Sequence, residues 1–299
     1  MADASLPLEA ALREVAGEMD RQFERLLAVP DDPRAGLYRA MRHAAIGGGK
    51  RLRPLLVFGT SRLFGVDRSC AARVALAVEC IHVYSLIHDD LPSMDDDDMR
   101  RGKPTVHRAF DEATAILAGD SFQALAFELL ADEATHPDPF VRVELVAALA
   151  HAAGPAGMVG GQMMDLEAEK ASFDLPTVTR LQAMKTGALI GCAVECGAIL
   201  GRAAPEGRKG LRGYARDLGL AFQIADDILD AEGEEAAAGK KLRKDAVRGK
   251  ETFLTLLGLD RARAQARLLI DQAIAHLHAF GPEADLLRDV ARFTLERDR

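Results

Sequence analysis

An apolar run over residues 74–87 leads into six aspartates, Asp89, Asp90, Asp95, Asp96, Asp97 and Asp98, held within ten positions. No other feature limits the fold so strongly. Like charges crowded where water is partly excluded repel one another, so a fold that buries the run must bring a cation to its end. Oxygen ligands without accompanying cysteine favour magnesium, which keeps several waters and is shared between carboxylates and phosphates. Arg100 and Arg101 follow directly, and paired guanidiniums beside such a cation suit phosphate oxygens. A solvated acidic loop accounts for Asp96, Asp97 and Asp98 but fits Asp89 and Asp90 poorly, because the run before them reads as buried.

A second acidic group closes the stretch 211–230. Gln223, Asp226 and Asp230 stand three and four apart, which places an amide and two carboxylates on one helix face, with Asp227 directed elsewhere. The segment IADDIL echoes IHDDL. Two such groups, each ending an apolar helix, are expected to face one another across a bundle cavity and hold metal between them.

Composition sets the surroundings. Alanine and leucine abound, aromatic residues are 5% of the chain and tryptophan is absent, which points to an all-α protein. The 299 residues are read as one large domain, 1–299. A net charge of -8 argues against nucleic acid as a partner. No apolar run reaches the roughly 18 residues that suggest a membrane span. Glu9, Glu14, Glu18 and Asp20 do not fit a signal peptide, so a cytoplasmic location is expected. Cys70, Cys80, Cys192 and Cys196 have no CxxC spacing and read as reduced core thiols.

Apolar periodicity predicts helices over 8–27, 37–46, from 55 onward, 74–90, 112–132, 140–153, 158–170, 176–200, 211–230, 260–279 and 286–295. Gly47, Gly48 and Gly49 precede Lys50, Arg51, Arg53 and a helix opened by Pro54, an arrangement that offers backbone N–H groups and positive charge to an anion. His82, Ser85 and Asp89 share one helix face. Lys185 and Thr186 interrupt an apolar stretch. Residues 231–248 are charged, punctuated by glycine and without an apolar face, and read as a lid in which Lys240 and Lys250 fold over a bound anion.

Five motifs in order, GGGKRLRP at 47–54, HVYSLIHDDLPSMDDDDMRRGKPT at 82–105, GGQMMDL at 160–166, MKTG at 184–187 and FQIADDILD at 222–230, resemble those of the trans-isoprenyl diphosphate synthases. The resemblance covers nearly the whole chain and is strongest to the short-chain bacterial enzymes that make farnesyl diphosphate. It implies the isoprenoid synthase fold, an all-helical bundle around a deep cavity, in a homodimer. Asp89, Asp95 and Asp226 would hold three magnesium ions, with Asp90, Asp227 and Asp230 in support. Arg100, Lys185, Thr186, Gln223 and Lys240 would contact the allylic diphosphate. Lys50, Arg53, His82 and Arg101 would bind the diphosphate of isopentenyl diphosphate.

The resemblance also implies that product length is set below the first motif, about 7.5 Å down the helix. An aromatic residue five positions before the motif limits growth in the family, which selects Tyr84, while ideal helix geometry alone selects Ser85. Arg243 and Leu254 depart from the family's usual glycine and proline at the lid. Geranyl and geranylgeranyl diphosphate remain alternative products. A terpene cyclase would share the first motif without needing Lys50, Arg53, His82 or a second acidic motif. A non-catalytic partner subunit would tend to lose one of the two acidic motifs, and both are present here.

Overall fold

Aspartates begin four of the helices. Asp67, Asp111, Asp138 and Asp174 each accept a backbone N–H of the first turn, at 2.7 to 3.0 Å, and so satisfy donors that a helix start leaves open. The computed structural model describes residues 8–236 and 251–296, with the backbone alone at Asp230 and at residues 232–236. Its helices are α1 (Leu8–Leu26), α2 (Ala35–Ala45), α3 (Leu52–Arg62), α4 (Arg68–Asp89), α5 (Val106–Ala109), α6 (Glu112–Ala131), α7 (Pro139–Ala153), α8 (Met158–Glu167) and α9 (Leu175–Gln182). They continue as α10 (Ala188–Leu200), α11 (Pro205–Ala236), α12 (Phe253–Leu257), α13 (Leu259–Ala275) and α14 (Asp285–Glu296). The all-α expectation holds.

Burial follows the amphipathic pattern. Helices α3, α4 and α10 are buried on nearly all sides and form the centre, as helices that are apolar all round must. Gly197 of α10 lets α3 approach closely, because a Cβ there would lie 2.6 Å from the Thr60 Cβ. The outer helices bury one stripe each: α1 presents Val15, Met19 and Phe23, and α14 presents Leu287, Val290, Ala291 and Thr294.

Several features differ from the sequence expectation. Helix α11, expected over 211–230, spans Pro205–Ala236, so the second acidic group lies within it and the stretch read as a lid from residue 231 begins as helix, and α12 forms where no helix was expected. The helix expected over 74–90 begins at Arg68, because Asp67 caps it before its apolar run starts. The helix expected over 176–200 is broken by a π-turn at Ala183–Gly187. A two-stranded hairpin pairs β1 (Met99–Arg100) with β2 (Lys103–Pro104). Arg101 and Gly102 between the strands both have positive φ, 52° and 75°, the twist that a two-residue hairpin turn requires.

Four stretches, Arg68–Asp89, Glu112–Ala131, Pro139–Glu167 and Leu175–Leu200, are long and apolar enough on average to cross a bilayer. The expectation that no such segment exists is corrected on that measure. Averaged over such a length, a helix can be apolar while still carrying a few polar groups. Helix α4 carries such a group in Glu79, which is buried against Arg51. The third and fourth stretches are interrupted, by the Gly154–Pro155 break and by the π-turn.

Arg51 ties the glycine segment to the core. Its backbone is left-handed, φ 51°, an uncommon conformation for a residue other than glycine. Its guanidinium is fully enclosed and donates to Glu79 Oε1 at 2.6 Å, to Asp20 Oδ1 at 2.9 Å and to the Ala45 carbonyl. Removing one partner of a buried ion pair strands the other charge, at a cost of about 3–5 kcal/mol. Glu79→Ala is therefore expected to lower unfolding stability by about that amount in chemical denaturation. A midpoint close to that of the parent would show that the pair does not anchor the fold.

Candidate active site

The first acidic motif folds back on the end of α4. Asp95 N–H donates to the Asp89 carbonyl at 2.8 Å and Asp97 N–H to the Asp90 carbonyl at 3.2 Å, with Asp96 left-handed at φ 51° between them. This loop returns Asp95 to the neighbourhood of Asp89. The carboxyl of Asp89 is pushed up to about 6, first by burial and then by the negative charges of Asp95 and Asp90, against the pull of Lys185 and Arg100. Asp98 is exposed and pairs with Arg108 at 3.0 Å. Asp97 is 3.7 Å from Arg100. Neither faces the cavity described next.

A cavity of about 410 Å³ opens beneath this motif, lined by Asp89, His82, Tyr84, Ser85, His88, Arg53, Lys185 and Thr186 among others. The shared face of His82, Ser85 and Asp89 is thus realised. Tyr84 is buried as well, its ring edge-on to the His88 ring with centroids 5.7 Å apart. Lys185 Nζ donates to Asp165 at 2.7 Å. Burial works against the charge on Lys185, but Asp165, Asp89 and Asp95 outweigh it and hold the ammonium above its usual range.

The π-turn that presents Lys185 and Thr186 is gripped from two sides. A Cβ at Gly161 would lie 2.2 Å from the backbone N of Lys185, and one at Gly219 would lie 3.1 Å from the Cα of Gly187. At Gly161 only a residue without a side chain permits this approach, and at Gly219 a side chain would fit only if the π-turn gave way by a few tenths of an ångström. Such turns are rare and recur at functional sites.

A basic cluster forms where the glycine segment meets the hairpin, and of its members Arg53 lines the cavity while Lys50, Arg100 and Arg101 do not. The Arg101 guanidinium rests on Gly48 and Gly49, where a Cβ at Gly49 would meet it at 2.6 Å. Arg100 donates from Nε to both Asp90 oxygens, at 2.8 and 3.0 Å, so Asp90 holds Arg100 in place. Arg53 Nε is buried without a hydrogen-bond partner. His82 is pushed well below its usual range by burial, then by Arg53, Arg101, Arg51 and Arg100. It is a neutral imidazole among guanidiniums. The Lys50 ammonium lies 5.7 Å from the Phe293 ring centroid.

On α11, Gln223 donates to Asp226 at 3.3 Å, and Asp226 is near enough to favour the charge on Arg53. Asp227 points away, accepting the Phe253 N–H at 2.8 Å, and so anchors the start of α12. The Asp230 side chain, Lys240, Arg243 and Lys250 lie outside the described residues. Among the described residues no three ligating side chains gather closely enough to cage a metal ion. Separated carboxylates are nevertheless what magnesium uses when water and phosphate complete its shell.

Sequence reasoning passed over several lining residues. Met158, Val159, Gln162, Met163 and Leu166 of α8 line the cavity, although GGQMMDL was noted as a motif. Their three- and four-residue spacing was the available signal. Asp165, Glu79 and His88 act through partners on distant segments, which spacing along the chain does not reveal.

A family model described as Polyprenyl synthetase matches residues 34–285. The farnesyl diphosphate synthase of Escherichia coli is 43% identical, with 98% of each chain covered. That of Geobacillus stearothermophilus is 42% identical, with 99% of each covered. A crystal structure of an FPP/GFPP synthase from Zymomonas mobilis superposes with a TM-score of 0.89 at 59% identity, covering 96% of this chain and 98% of that one.

The weakened acidity of Asp89 carries a sign. Between 3.8 and about 6 the native state holds a proton there that the unfolded chain releases, so this group's contribution to stability falls as pH rises through that window. Asp89→Asn removes the penalty. It is expected to stabilise the metal-free protein at pH 7 by up to about 3 kcal/mol, with a smaller gain at pH 4. Denaturation of both proteins at the two pH values checks this, and an equal or negative difference at pH 7 would contradict it.

Proposed function

The chain belongs to the polyprenyl synthetase family, and from that premise we propose that it joins isopentenyl diphosphate to dimethylallyl and then geranyl diphosphate, releasing farnesyl diphosphate. In this reading it acts as one domain, in the cytoplasm, as a magnesium-dependent homodimer. One observation carries the reading: a single cavity has an acidic lip at Asp89, basic and neutral donors at Lys185, Thr186, Arg53 and His82, and a buried aromatic residue, Tyr84.

The donor set suits magnesium. Asp89 and Asp95 would be oxygen ligands, and their mutual repulsion is already felt; Asp226 of α11 would add a third carboxylate, with Asp230 one turn further along. Magnesium, when bound by them, neutralises charge on the departing diphosphate. The remaining work falls to the side chains. Lys185, Thr186, Gln223 and Arg100 bind the allylic diphosphate and stabilise its growing negative charge as the allylic C–O bond breaks. Lys50, Arg53, His82 and Arg101 hold the second diphosphate, His82 as a neutral donor.

The isopentenyl alkene then forms a C–C bond to the allylic cation, and the adduct loses a proton to the departed diphosphate. Apolar residues of α4 and α8 keep water from the cation. Tyr84 blocks growth beyond fifteen carbons, with Ser85 beside it. The homodimer reading is supported by Ile116, Leu117, Phe140 and Val143, large apolar residues exposed on α6 and α7.

Purified protein given magnesium, isopentenyl diphosphate and dimethylallyl diphosphate should yield mainly a C15 product. No product would favour a non-catalytic subunit. Asp226→Ala should lower turnover by about a thousandfold or more while the fold is retained. Tyr84→Ala should extend the product beyond C15, and an unchanged product would remove Tyr84 from length control. Sedimentation should give twice the chain's mass, and a monomer would count against the homodimer.

A further inference from the structure

His88 stands one turn above Tyr84 on α4, immediately before the first acidic motif, and none of the roles assigned so far uses it. Its imidazole is wedged between two helices. Nε2 donates to the Ile116 carbonyl of α6 at 3.1 Å, since a carbonyl can only accept. The ring lies over the bare Cα of Gly119, where a Cβ would stand 2.1 Å from Nε2, 2.5 Å from Cδ2 and 2.8 Å from Cε1. On its other side the ring meets the Tyr84 ring edge-on and forms part of the cavity wall. The Tyr84 hydroxyl is buried beside the Gln123 side chain of α6 without a hydrogen bond of good geometry, so Gln123 and the packing around the ring orient the tyrosine together. A notch in α6 therefore sets the position of the imidazole, and the imidazole sets the edge against which the tyrosine rests.

We propose that His88, seated in the notch at Gly119, is a positioning residue for product length: it fixes the Tyr84 ring across the cavity, and Gly119 determines how far the imidazole intrudes. The inference rests on the reading of Tyr84 as the cavity floor. Two substitutions have opposite consequences. His88→Ala empties the space beside Tyr84 and enlarges the cavity. Gly119→Ala evicts the imidazole from α6, and the open side to which it can retreat is the cavity itself. In the double variant no imidazole is left to displace, so the Gly119→Ala effect disappears.

The test is the product distribution of the parent, Tyr84→Ala, His88→Ala, Gly119→Ala and the double variant, made from isopentenyl and dimethylallyl diphosphate and compared at equal total conversion. His88→Ala is expected to raise the C20 to C15 ratio about tenfold, and Gly119→Ala to raise the C10 to C15 ratio by a similar factor. The double variant should follow His88→Ala. A role confined to stability would lower total turnover and leave these ratios unmoved. Longer products from Tyr84→Ala alone, with parental ratios in His88→Ala and in the double variant, would overturn this inference and leave the floor intact. Parental ratios in Tyr84→Ala would instead remove the floor reading. If Gly119→Ala fails to fold, His88→Ala and the double variant decide the matter.

Discussion

A guanidinium enclosed in the core is the constraint on which the site depends. Arg51 follows the glycine segment and precedes α3, and its charge is held inside by Glu79 of α4 and Asp20 of α1. Three elements that meet nowhere in sequence are joined at one side chain. With Arg51 turned inward by its left-handed backbone, its neighbours are free for other work: Arg53 reaches the cavity and Gly48 and Gly49 receive Arg101. The price of burying one cation is the ordering of the others.

The same pairing recurs around the cavity at lower cost. Arg100 is held by Asp90, and Lys185 by Asp165. Both described cations that would contact the allylic diphosphate are thus already oriented by a carboxylate. An arriving diphosphate, carrying more negative charge than any single carboxylate, can share or take over these donors without the protein having to find their positions. The carboxylates also keep these cations from repelling one another before the substrate arrives. His82, neutral among the guanidiniums, adds a donor without adding charge.

Much of this was legible from residue order. Helix-forming composition and apolar periodicity located the bundle, and the spacing of His82, Ser85 and Asp89 placed them on the face that the cavity uses. The divergence of Asp227 from Asp226 also followed from helix geometry, and its partner is the Phe253 N–H. What could not be read depends on contacts across distance. The π-turn arises where backbones from α8 and α11 press on one segment. Arg101–Gly102 is not a strong turn signal, because arginine does not favour positive φ, yet the hairpin forms there. Asp90 reads like a metal ligand beside Asp89, and residue order gives no sign of the bond it accepts from Arg100.

The grip of Gly161 and Gly219 on the π-turn bears on how such a chain can drift. Most cores are registered by side chains, and a substitution there shifts neighbouring elements by fractions of an ångström. At Gly161, where backbone meets backbone, there is no side chain left to shorten, so the contact is a hard stop. Lys185 and Thr186 are referenced to that stop. The surrounding helices can therefore exchange one aliphatic residue for another, generation after generation, while the donors they carry keep their place.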